Sequence, residues 1–164
     1  MKERSRQTLE WVLPESWLAD IALDHLTLGR AHLSLALTES HIEDRNAELT
    51  QAAEHLNQAV DGLRQAGQEY QLPYGLLVRA AFRRLRCDFP GAAADLAEVL
   101  EIAERGPMRL FECDAHLELA RLCRDQGHLD EARRHVERAR ELVEQTGYGR
   151  RRREVEYLSR VLAE

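Results

Sequence analysis

The sequence predicts an all-α chain of three helix–turn–helix repeats packed side by side as a solenoid. Apolar residues recur at helical spacing through most of the chain, and runs of β-branched residues are missing. One short pattern returns in register about every forty residues: Ala52, Leu56 and Ala59 recur as Ala92, Leu96 and Val99, and again as Ala132, Val136 and Ala139. Gly67 and Gly147 close the first and third copies, and Gly106 closes the second one residue out of step. A period of this size marks architectures in which each unit shelters its apolar face against its neighbours.

Residues 5–13 read as a short orphan helix with Leu9, Val12 and Leu13 on one face, closed by Pro14. It is expected as a cap or as the remnant of a longer array. Residues 17–67 form the first repeat. Its first helix, 17–38, carries His25, Leu28, Gly29 and His32. A mid-helix glycine costs about 1 kcal/mol relative to alanine, so close approach of the next helix is the expected return. His25 and His32 share a face, as two metal ligands could, but they fall at packing positions and are read as packed histidines. A polar turn over 39–46 leads into a second helix, 46–66. Gly29 to Ala52 is about eleven residues longer than the matching intervals in the other repeats, an insertion that longer helices and a longer loop absorb cheaply.

Residues 73–106 form the second repeat, with Pro73 suited to a first helical position and Pro90 opening the second helix. Its first helix is the odd one. Arg79 and Arg83 stand where apolar residues are expected, and Cys87 stands where Gly127 stands in the next repeat. Residues 107–147 form the third repeat, two helices about Gly127, which suits a left-handed helix end, with Asp130 capping or charge-complementing the helix that follows. Ala120, Ala132 and Ala139 let the pair lie close. Residues 150–163 form a closing helix with a stripe of Val155, Leu158, Val161 and Leu162. The run Arg150 to Arg153 precedes that stripe. Because a helix start disfavours cations, it is read as a solvated charge run rather than a phosphate site.

His116, Leu119, Ala120 and Cys123, followed by Ala132, Val136 and Ala139, resemble the tetratricopeptide repeat (TPR) in their small and large positions, though not in its aromatics. The resemblance implies a right-handed α-α superhelix, a TPR-like solenoid forming a single domain over 1–164, with a concave groove lined by the first helices. The groove positions it implies are Arg30 and Leu33 in the first repeat, Tyr74, Leu77, Ala81 and Arg84 in the second, and Asp114, Leu117, Arg121 and Arg124 in the third. The guanidinium groups suit a peptide or protein partner of acidic and apolar character. Alternatively, these arginines pair internally with Glu112, Glu118 and Asp125. The family's peptide-carboxylate clamp positions hold Leu26, Arg30, Val78, Asp114 and Glu118 here, so that specificity does not carry over.

With 23 basic against 29 acidic residues and a net charge of −6, the chain is not expected to bind nucleic acid. Cys87, Cys113 and Cys123 lack metal-ligand spacing and are read as reduced, packed small residues of a cytoplasmic protein. No leader and no membrane-spanning stretch is expected. No phosphate loop, nucleophile motif or metal motif is found, so neither enzymatic activity nor a cofactor is expected. The expectation is a protein-interaction module. Two other readings stay open: a sensor domain, since the long repeats resemble C-terminal TPR arrays of bacterial signalling ATPases and transcription activators, and a self-association scaffold forming homo-oligomers.

Overall fold

The computed structural model describes the backbone of residues 2–163 and the side chains of residues 17–163. The elements are α1 (Lys2–Thr38), α2 (Ile42–Gln65), α3 (Leu72–Leu85), α4 (Phe89–Arg105), α5 (Arg109–Asp125), α6 (Leu129–Thr146) and α7 (Arg152–Val161), with a 3-10 turn at Gly149–Arg151. There is no strand among the described residues, and none of their helices is long and apolar enough to cross a membrane. The chain divides within α3 into two compact units, Met1–Val78 and Arg79–Glu164.

Two boundaries differ from expectation. The separate helix over 5–13 is absent as such, because the α1 backbone runs on without a break at Pro14. A proline removes one helical hydrogen bond but holds φ at a helical value, so a helix can continue through it. The apolar face expected from Leu9, Val12 and Leu13 lies outside the described side chains. The loop expected over 39–46 is also shorter, since α2 begins at Ile42. Glu39 tightens this turn: its carboxylate accepts from the backbone N–H groups of Ser40 (2.7 Å) and His41 (2.9 Å), and its carbonyl accepts from Arg45. Helix length, not loop, absorbs the insertion.

In the first unit α1 and α2 form an antiparallel pair. Its core is Ala19, Ala22, Leu26 and Ala36 against Ala52, Leu56, Ala59, Val60 and Leu63. The helices nearly touch at two glycines. A Cβ added at Gly29 would lie 2.8 Å from Leu56 Cδ2, and one added at Gly62 would lie 2.8 Å from Ala22 Cβ. These contacts are the return for glycine's poor helix propensity. The start of α3 then seats Leu72, Pro73 and Leu76 in the unit's interior.

In the second unit the remainder of α3 and α4 bury Ala80, Phe82, Ala92, Leu96 and Val99. Helices α5, α6 and α7 share a core of Cys113, Leu117, Ala120, Ala132, Val136, Ala139, Leu142, Val155 and Leu158, with Tyr148 packed against it. Ala52, Ala92 and Ala132 are at most 1% exposed, so the repeating alanine is buried in all three copies.

The turns follow the same repetition. Gly67, Gly127 and Gly147 take φ of 63°, 82° and 70°, and Cys87, aligned with Gly127, takes 60°. Gly106 does not join them; it caps α4 at φ −103°. Asp88 caps α4 at its start, accepting from Gly91 N–H at 3.1 Å. Cys113 and Cys123 are buried as expected, but Cys87 is exposed at its turn, because a left-handed residue ending a helix faces outward.

Two stability outcomes are expected. Gly62→Ala should lower the thermal midpoint by several degrees despite its gain of about 1 kcal/mol in helix propensity, because the added methyl meets Ala22 rather than a movable side-chain end. Cys87→Gly should stabilise by about 1 kcal/mol in denaturant unfolding, since glycine relieves a left-handed, solvent-facing residue. A rise for the first or a fall for the second would refute the packing or turn assignment concerned.

A repeated polar seam and an arginine–carboxylate ladder

Three residues after each repeating alanine stands a polar side chain, and each one reaches the first helix of its own pair. His55 meets His25 with their Nδ1 atoms 2.8 Å apart, and His135 meets His116 with their Nδ1 atoms 3.0 Å apart. Each contact needs one ring to donate N–H and the other to accept. At the matching place in the second repeat Asp95 accepts from Arg79 Nε (3.0 Å) and Nη2 (2.8 Å), and Arg83 Nη1 lies 2.9 Å from the same carboxylate. Four residues before the alanine the parallel continues, with Glu48 pairing His32 at 2.6 Å and Asp88 lying 3.8 Å from Arg83.

Arg79 and Arg83 therefore do not break the repeat pattern. They are the counterparts of an Asp95 that is 2% exposed. A carboxylate buried that deeply requires partners, and the fork of Arg79 meets it bidentately. Nothing in the sequence pattern singled out Asp95. The available signal was its place three residues after Ala92, where the other two repeats carry histidine. His25 and His32 face His55 and Glu48 between them, and among the described residues no three His, Cys, Asp or Glu side chains converge as a metal site would need.

The second charged arrangement runs along the first helices of the second unit. Arg84 donates to Glu118 (2.7 Å) and to Asp125 (2.5 Å). Arg121 donates to Glu118 at 2.8 Å and pairs with Glu154. Arg151 bridges Glu154 (2.7 Å) and Asp114 (2.7 Å), while Arg124 pairs with Asp125 at 2.8 Å. The result is an unbroken ladder from α3 through α5 to the start of α7. Burial alone would lower the pKa of Arg84, but Glu118 and Asp125 outweigh it and raise it. Burial opposes the ionised form of Asp125 too, yet bonds from Arg124 and Arg84 hold its carboxyl below the ordinary range.

The ladder brings together Arg84, Asp114, Arg121 and Arg124 of the expected groove residues. Ala81 lies half-buried in the same unit. Leu117 is a correction: it is 1% exposed and sits in the core with Ala132 and Val136, because its helical position faces α6. Arg30 is exposed and Leu33 half-buried on α1, while Tyr74 is exposed and Leu77 half-buried on α3. These four belong to the first unit. The internal pairing of the arginines with Glu118 and Asp125 is present, whereas Glu112 pairs with Arg109 and Arg138 instead. Arg151 and Glu154 are ladder members the sequence did not indicate. Arg151 was hidden in an arginine run whose other members, Arg150, Arg152 and Arg153, are exposed.

The histidine seam of the third repeat has a pH consequence. Burial first, and the charge of His135 second, push His116 down to about 4, and burial also lowers His135. Glu112 and Arg138 act on His116, and Glu131 and Arg134 act on His135. As pH falls, the unfolded chain binds protons at these rings before the native state does. The contribution of this pair is therefore fully present above about pH 6.5 and is lost as pH drops towards 4. Replacing both rings with leucine should flatten that limb of a stability–pH curve, by about 1–2 kcal/mol once solvent screening of these half-exposed rings is allowed for. An unchanged slope would show that the pair does not bind protons differentially.

No protein-family model, no curated protein and no solved structure matches this chain.

Proposed function

We propose that the chain is a protein-interaction module of TPR-like build, and that the ladder of the second unit is its recognition face. Support for the build comes from the three buried alanine stations and the polar contacts that recur beside them. The observation that carries the functional reading is the ladder: guanidinium and carboxylate groups alternate in a row, held in place yet not sealed from water. Arg121 and Arg124 keep 25% and 32% of their side chains exposed.

The partner that suits this face is a peptide or protein surface with acidic and apolar groups. Its carboxylates would exchange with Glu154 and Asp125 for Arg121 and Arg124. Partly exposed ion pairs are worth about 0–1 kcal/mol each, so every exchange is close to neutral. Affinity then depends on several contacts made together, and it weakens with salt. Glu118, held between Arg84 and Arg121, stays in place as the fixed centre of the face.

The test is to pan an unbiased displayed-peptide library on the whole protein, then measure selected peptides against the Arg121→Ala, Arg124→Ala double variant. Enriched sequences should carry Asp or Glu, bind the double variant at least about tenfold more weakly and lose affinity as salt rises, while circular dichroism shows helicity retained. Peptides that bind both proteins equally, or no enrichment at all, would remove this face as the recognition site.

A further inference from the structure

Helix α1 has two apolar faces. One, through Ala19, Ala22, Leu26 and Ala36, is buried. The other faces solvent: Trp17, Ile21, Leu28 and Leu35 are 64, 50, 45 and 53% exposed. The last three stand seven residues apart, the spacing of one seam of a coiled coil, and Asp24 and Ala31, which fall between them on that seam, are exposed as well. At 37 residues α1 is also longer than the 24-residue α2 packed against it.

We infer that this seam is the interface of a homodimer in which two copies of α1 pack antiparallel. A two-fold interface must complement itself, and this row does. In the antiparallel alignment that sets Leu28 opposite Asp24 of the other copy, Ile21 meets Ala31 and Leu35 meets Trp17. Large residues then meet small or flat ones along the row. The flanking positions bring Asp20 opposite Ser34 and Thr27 opposite Thr27, so no like charges face each other there. A parallel, in-register pairing would instead set Asp24 against Asp24, which like-charge repulsion disfavours. Half-exposed Trp, Ile and Leu side chains over about 27 Å of helix supply on the order of 400 Å² of apolar surface per copy. With the flanking residues the total reaches roughly 1,000–1,200 Å², the lower end of stable interfaces, so the dimer is of moderate affinity. This surface lies on the first unit and is independent of the ladder.

Sedimentation or light scattering of the whole chain from about 1 to about 200 µM tests it. The mass should rise with concentration from 18.9 kDa towards twice that value. Ile21→Glu with Leu28→Glu should stay at single-chain mass with helicity unchanged. Asp24→Leu places an apolar group against Leu28 of the other copy and should move dimerisation to at least about tenfold lower concentration. A wild-type chain of single-chain mass throughout would overturn the inference and leave the seam to another occupant. A charged variant that still dimerises, or an Asp24→Leu variant that does not tighten, would overturn it equally.

Discussion

None of these helices can hide its apolar stripe by itself, and the remaining features follow from how each finds cover. In proteins most helical stability comes from packing of an apolar face rather than from propensity. Within each unit the cover comes from an adjacent antiparallel helix brought close by small residues. Gly29 and Gly62 do this in the first unit; Ala120, Ala132 and Ala139 do it in the second. The separation is then so tight that side chains beside these stations must either be small or find a partner directly opposite.

That requirement has been met in two chemical ways at one structural position. Two of the three pairs use facing imidazoles, one ring donating N–H to the other. The middle pair uses an arginine fork on a carboxylate, which does bury charge and gives up solvation to do so. Removing Asp95 takes the carboxylate from Arg79 and Arg83 together, whereas each histidine contact joins one ring to one ring. The middle seam is therefore less tolerant of substitution than the other two, although all three fix the rotation of one helix against the next.

The repeating alanines, the left-handed helix end at Gly127, the ends of the first and third copies at Gly67 and Gly147, and Cys87 at the station of Gly127 were all legible in the sequence, because each depends on local spacing alone. What was not legible depends on side chains meeting across helices. Leu117 looked like a groove residue although its face points inward, because adjacent residues on a helix are about 100° apart and a register slip exchanges wall for core. Asp95, Arg151 and Glu154 were overlooked because their partners lie far off in sequence and only the fold brings them together. Proline at position 14 suggested an ending that the backbone does not make.

Beyond its buried Val155, Leu158 and Leu162, the last helix is tied by the same charges that line the first-helix face. Arg121 pairs with Glu154 at the beginning of α7, and Arg151 reaches back from just before it to Asp114. Elsewhere Arg133 donates to the Leu162 carbonyl, and Arg140 to Ser159. Any anion that drew Arg121 away from Glu154 would undo part of this tether. Occupancy at one end and firmness at the other are thus thermodynamically linked, each loosening or strengthening the other by the same amount of free energy.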